Sequence, residues 1–289
     1  MTETANAYAK INISLDIVSK MADGYHDLKT IMQTVSLCDE ITVECTQGEG
    51  VEISTGLPYL PSDERNIAVK AVNAFYNYTG IKGYRTGIVI NKRIPVCAGL
   101  GGGSADGACV LRLLNKMHKA NISVKSLEEL GNTIGSDVPF GIGGATQLAQ
   151  GRGEKLTVLP DIPDCFVVIC KPPFSFSTPE LFKLVKCDRI RARPDTDGLI
   201  KALEAGDLGG VARRMYNVFE DILPRGKSEI EEIKSALLDN GALGSVMTGS
   251  GPSVFGVFDN ENNAQAAYEQ LKKEFEECYL TGTLAPVDW

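Results

Sequence analysis

Apolar and polar residues alternate with period two through "KINISLDIV" (10–18) and "EITVEC" (40–45), which predicts half-buried β-strands. The turn-like "ADGYHD" (22–27) separates them. In "SDERNIAVKAVNAFYNYTG" (62–80) the period becomes helical: Ile67, Ala71, Ala74, Phe75 and Tyr78 recur on one face. Ser62 or Asp63 is expected to cap that helix and Gly80 to stop it. "TGIVINKRIP" (86–95) predicts a strand running into a glycine-rich stretch, and the largely apolar "ADGACVLRLLNKM" (105–117) predicts a buried helix.

Ser126 and Glu129 form a capping box in front of "LEELGNTIG" (127–135), with Leu127, Leu130 and Ile134 inward and Gly135 at its end. Residues 136–155 read as a glycine-rich connector with a short strand, and "DCFVVICKP" (164–172) as a buried strand. Between them lies the expected domain boundary, dividing the chain into 1–155 and 156–289. Beyond it, Ser177 and Glu180 cap a helix at "STPELFKLV", with Pro179 in its first turn, and shorter helices follow near 197–205 and 228–239. "LGSVMTGSGPSVFGVFDN" (243–260) predicts strand, glycine turn, strand. The last helix carries Ala264, Ala267, Leu271 and Phe275 inward. The order of elements is α+β rather than a regular βαβ alternation.

Composition narrows the class. The chain has 289 residues, 43% apolar and 23% charged, with no apolar run long enough for a membrane span and no basic-then-apolar start, so a cytoplasmic protein is expected. A net charge of -8 argues against a nucleic-acid partner. Eight cysteines sit mostly in apolar runs, and with only His26 and His118 a zinc site has no support.

The glycine stretch "VCAGLGGGSADGA" (96–108) fails three familiar templates. No lysine precedes Ser104 as a Walker loop needs, the dinucleotide fingerprint lacks its third glycine in either frame, and Asp106 stands where a nucleophile elbow needs glycine. A strand, a bare backbone and a helix start still make an anion nest, unless the glycines only let strand and helix pack closely. Three other stretches bear on this choice. "YAKIN" sets Lys10 and Asn12 on one face of a strand, "GSDVPF" holds Asp137 in an otherwise uncharged run, and "TGSGPS" (248–253) is a second glycine loop. Taken singly, they are also a solvated strand residue, a turn former and a hairpin connection.

In this order the stretches resemble the GHMP kinase superfamily: an N-terminal strand, the loop "PVCAGLGGGSADGA" and the C-terminal loop "TGSGPS". "AKINISLDI", "ADGYHDLKTIMQ" and "GSDVPF" are most similar to its 4-diphosphocytidyl-2-C-methyl-D-erythritol kinase family. The resemblance spans essentially the whole chain. It implies a two-domain fold, a ribosomal protein S5 domain 2-like N-terminal domain and a C-terminal α/β domain, with ATP and substrate in the cleft between them. It implies transfer of the γ-phosphate of ATP to the 2-hydroxyl of a cytidyl-capped methylerythritol, a step of non-mevalonate isoprenoid synthesis. Three rivals stay open: a GHMP kinase for another small alcohol or phosphorylated sugar, a silent nucleotide-binding or regulatory protein on the same fold, and a non-enzymatic glycine-rich scaffold.

By the same resemblance Asp137 takes the hydroxyl proton and Lys10 is its charge partner. Pro95, Val96, Cys97, Ala98, Gly99, Leu100, Gly101, Gly102, Gly103, Ser104 and Ala105 wrap the ATP phosphates, and Asn66 and Lys92 lie near adenine and ribose. Asn12 bonds the sugar alcohol, Tyr25 and His26 read cytosine, and Gly249, Ser250 and Gly251 shape the substrate cavity. Mg2+ is expected with ATP. The Ser104 hydroxyl touches a phosphate or the metal, and no carboxylate is assigned to it, Glu129 being taken by its cap.

Overall fold

The computed structural model describes residues 1–285 and is framed by a long antiparallel hairpin of β1 (Thr2–Lys20) and β2 (His26–Gln47). β2 is long enough to serve two further neighbours. Its second half pairs with β4 (Tyr84–Asn91), which carries β3 (Val51–Ser54), and its first half pairs with β5 (Thr146–Gly151), which carries β6 (Lys155–Val158). On the other side of β1, the two-residue β8 (Tyr216–Asn217) completes a seven-stranded sheet. A second, four-stranded antiparallel sheet runs in the order β11 (Glu277–Gly282), β7 (Phe166–Lys171), β10 (Val254–Phe258), β9 (Gly244–Met247). The expected boundary at residue 155 thus falls where β6 opens.

Helices α1 (Ile67–Thr79), α2 (Gly102–Met117), α3 (Val124–Asn132) and α4 (Val138–Gly143) gather against the first sheet, where Ile41, Val43, Ile88 and Ile90 pack with Val72, Phe75, Val110 and Leu114. Around the second sheet lie α5 (Thr178–Leu184), α6 (Thr196–Glu204), α7 (Leu208–Ala212), α8 (Lys227–Asp239) and α9 (Glu261–Leu271). Ile11 and Ile13 of β1 share one apolar cluster with Val167, Ile169, Phe255 and Val257 of the second sheet, so apolar burial is continuous between the two halves. No helix among the described residues is long and apolar enough to cross a membrane.

Several local expectations give way to a nearer competitor. Asn66, not Ser62 or Asp63, caps α1: its Oδ1 accepts from the Ala68 N–H, while the Asp63 carboxylate is engaged by Arg65. Ser123, not Ser126, caps α3, which leaves Glu129 without a capping role. Ser177 precedes α5 as expected, but its side chain makes no capping bond. The stretch after Asp137 is not all connector, because Pro139 in the first turn and the buried Val138, Phe140 and Ile142 close the helix α4.

Candidate active site

Alternation along β1 puts Ile11, Ile13 and Ile17 in the core, yet the intervening Lys10, Asn12, Ser14 and Asp16 are buried as well. Buried polar groups must find partners, and those of this stretch build the site. The β1–β2 ladder shifts register on either side of Lys10–Asn12; these three stay opposite Thr34, Gln33 and Met32, while the Lys10 and Asn12 N–H groups turn to Leu100 and Thr248. The Lys10 N–H donates to the Leu100 carbonyl at 3.0 Å. Its ammonium, with only 8% of the residue exposed, donates to Asn12 Oδ1 at 2.6 Å and to the Gly99 carbonyl at 3.1 Å. Asp137 Oδ2 lies 3.8 Å away, an ion pair too long for a hydrogen bond. Burial pulls the Lys10 pKa below its ordinary value, and the Asp137 charge opposes that shift. Asp137 sits at the N-terminal boundary of α4 without capping it, and its side chain is 37% exposed, open to a ligand.

The loop between β4 and α2 is shaped by two contacts that only glycine permits. A Cβ on Gly99, whose φ is +78°, would stand 2.2 Å from the Thr248 carbonyl oxygen of the second glycine loop. One on Gly101, at φ +70°, would press on the Lys10 side chain at 3.1 Å. The glycines therefore let two loops and a lysine stem converge. Gly101 starts α2 with no side-chain cap and no acidic residue in the first turn, which leaves the helix's first N–H groups to a ligand. Of the expected cradle residues, Val96, Cys97, Gly99 and Gly101 to Ser104 have accessible surface; Pro95, Ala98, Leu100 and Ala105 are buried and offer backbone only.

Lys92 and Asn66 are brought near this loop without a free polar atom. Asn66 Nδ2 donates to the Pro61 carbonyl while its Oδ1 caps α1. The Lys92 ammonium, 6% exposed, is held between Asp39 at 2.5 Å and Asp106 at 2.9 Å, directly behind Gly102. Asp39 accepts in addition from the Arg93 and Ile94 N–H groups. Asp106 Oδ1 has no partner, and burial raises its pKa to about 7 against the pull of Lys92, with Asp39 adding to the rise.

A second cluster forms at the far end of the β1–β2 hairpin. His26 stacks on Phe182 of α5, with ring centroids 5.1 Å apart, and Phe182 meets Phe219 edge-on. Burial, with the Lys20 charge adding, lowers the His26 pKa and keeps the ring neutral at pH 7. Tyr25, 57% exposed, has the Arg152 guanidinium 4.0 Å over one face, and Arg152 also pairs with Asp23. The next residue, Gly153, lies against Asp137: its Cβ would stand 3.7 Å from Asp137 Oδ1. The β5–β6 turn thus spans from the aromatic cluster to the carboxylate.

In the second glycine loop, Asn217 Nδ2 donates to the carbonyls of Met247 and Gly249, and the Ser250 hydroxyl bonds that of Thr178. Thr248, Phe182 and Arg152 were not singled out in the sequence. Thr248 had a signal, standing directly before the glycines; the other two are assigned only by the fold. Among the described residues no group of three or more histidine, cysteine, aspartate or glutamate side chains could hold a metal ion. Glu128 lies against Gly143, and Glu129 is exposed.

Comparison with known proteins identifies the family. The family model described as GHMP kinases N terminal domain matches residues 66–147, and that described as GHMP kinases C terminal matches 199–277. A protein of Acetivibrio thermocellus named 4-diphosphocytidyl-2-C-methyl-D-erythritol kinase is 44% identical over 278 residues, covering 96% of this chain and 98% of its own. A protein of Clostridium kluyveri with the same name is 42% identical, covering 96% and 99%. A crystal structure of 4-(cytidine 5'-diphospho)-2C-methyl-D-erythritol kinase superposes with a TM-score of 0.83 at 29% identity, covering 98% of this chain and all of that one. The homoserine kinase of Cytophaga hutchinsonii shares the fold, with a TM-score of 0.77 at 20% identity and coverage of 99% and 95%. With both GHMP domains matched and relatives of this identity along nearly its whole length, the chain belongs to the 4-diphosphocytidyl-2-C-methyl-D-erythritol kinase family of the GHMP kinases.

Proposed function

We propose that this kinase transfers the γ-phosphate of ATP to the 2-hydroxyl of 4-diphosphocytidyl-2-C-methyl-D-erythritol, in the cytoplasm, as a step in making isoprenoid precursors. The observation that carries the reading is the buried Lys10 ammonium, fixed by Asn12 and Gly99 and facing Asp137 beside an uncapped helix start. Phosphoryl transfer asks a protein chiefly for positioning and charge neutralisation, and this corner offers both. The hydroxyl oxygen forms its bond to the γ-phosphorus, the bond to the β-phosphate oxygen breaks, and the proton passes to Asp137. Lys10 neutralises charge at the transferring group. Its desolvated state strengthens that interaction, since less water screens it.

The first N–H groups of α2, with Ser104, receive the ATP phosphates. Lys92 and Asn66 support the cradle from behind, because their polar atoms are already in use. Asn12 orients Lys10 for the same reason. Mg2+ arriving with ATP would neutralise phosphate charge; the Ser104 hydroxyl is the protein oxygen that would hold it, with phosphate and water oxygens supplying the rest. At the other end, the free face of Tyr25 stacks on cytosine and neutral His26 bonds its polar edge, with Phe182 backing the imidazole. The division into 1–155 and 156–289 belongs to this reading, with the ligands between the two parts.

A substrate panel tests it. ADP release should require the cytidyl compound, with mevalonate, homoserine and galactose inert. Turnover of one of those three with the cytidyl compound inert would overturn it.

A further inference from the structure

The mechanism above leaves one buried side chain of the site without a role. Thr248 is fully buried at the end of β9, and its N–H donates to the Ser253 carbonyl across the mouth of the glycine loop. Its hydroxyl oxygen accepts the Asn12 N–H at 3.0 Å. It also lies 3.3 Å from Asn12 Oδ1 and 3.3 Å from the Gly99 carbonyl. These two oxygens are the same pair that receives the Lys10 ammonium.

Hydrogen-bond direction along this chain is determined. The Thr30 hydroxyl donates to the Ser14 carbonyl at 2.6 Å, so its oxygen can only accept from Asn12, at 2.8 Å. The Asn12 amide must therefore turn its NH2 to Thr30 and its Oδ1 to Lys10 and Thr248. With Oδ1 so oriented, the Thr248 proton goes to Asn12 Oδ1 or to Gly99, and in either case it anchors an acceptor of Lys10. Thr248 comes from the second sheet and Lys10 from the first, so the contact ties the C-terminal loop to the charged corner.

We propose that Thr248 is a positioning residue for phosphoryl transfer, holding the two acceptors of Lys10 so that the remaining ammonium hydrogen points toward Asp137 and the reacting phosphoryl group. This rests on the role given above to Lys10. A misplaced charge loses transition-state stabilisation while leaving ground-state binding largely intact. Thr248→Val keeps the shape and removes the hydroxyl; kcat should fall about 30-fold, with KM for ATP and for the cytidyl substrate within about threefold. Thr248→Ser should recover kcat to within about threefold of the parent. In a Lys10→Ala background the valine substitution should cost less than about threefold, because its effect runs through the ammonium.

Thr30→Val attacks the other end of the same chain and should also lower kcat without moving KM, which gives an independent arm should Thr248→Val misfold. A parental kcat in either valine variant, failure of serine to rescue, or a full additional loss in the Lys10→Ala background would overturn the proposal. If Lys10→Ala itself keeps parental kcat, the function reading fails first and takes this inference with it.

Discussion

The charged corner and the aromatic cluster are built on opposite principles. Around Lys10 the groups come from β1, both glycine loops and the start of α4, and every polar atom of Asn12 and Thr30 is in use. Around Tyr25 the surface is open, and the side chains meet by ring stacking and one surface ion pair. Moving charge in a transition state rewards groups fixed in advance, whereas gripping a nucleobase needs flat faces that tolerate some play. The difference teaches where substitutions should act on kcat and where on KM.

The largest break in that contrast comes at the corner. Asp137→Asn should lower kcat about 1000-fold with little change in melting temperature, since the side chain is partly exposed and caps nothing. A steady-state assay beside a thermal melt checks this.

Burial behind the cradle carries a pH signature. The pKa of Asp106 rises on folding from 3.8 to about 7, so the folded state holds the proton more tightly than the unfolded one. Its contribution is most favourable below about pH 4, is lost as pH rises toward 7 and stays lost above, a change of at most about 4 kcal/mol. Urea unfolding across that range should show the loss in the parent and a flatter profile in Asp106→Asn.

Next in size is Gly99→Ala. Its Cβ would meet the Thr248 carbonyl at 2.2 Å, so the two loops must part; stability should drop about 2 kcal/mol and KM for ATP rise about tenfold. Denaturant midpoints and ATP titrations read both. The smallest effect belongs to the open end: Tyr25→Ala should raise KM for the cytidyl substrate about tenfold with kcat within about twofold. A kcat loss there, or a KM loss alone at Asp137, would erase the contrast.

How much of this was legible in the chain varies by residue. Lys10, Asn12 and Asp137 read singly as a polar strand face and a turn former, and only the resemblance to the family marks them; the structure gathers them. The glycines of the first loop were legible as a group, but that Gly99 serves Thr248 and Gly101 serves Lys10 depends on neighbours roughly 150 and 90 residues away in sequence. Phe182 and Arg152 carried no local signal; one reads as a helix face, the other as a turn charge. Lys92 and Asn66 were marked as ligand contacts, yet their polar atoms are taken by Asp39, Asp106, Ala68 and Pro61, partners that only the fold brings within reach. Caps failed similarly. A serine three residues from a glutamate is a local pattern, and a neighbour with better geometry displaced it.

The central claim is that Lys10 and Asp137 move a phosphoryl group onto one hydroxyl of a cytidyl-capped polyol. Its most direct test is phosphorus NMR of the product formed from ATP and 4-diphosphocytidyl-2-C-methyl-D-erythritol, run in parallel with parent protein and Asp137→Asn. The account predicts a new phosphomonoester on the 2-hydroxyl, one ADP per product, and almost none with the variant. A phosphate on another hydroxyl, or equal product from Asp137→Asn, would contradict it.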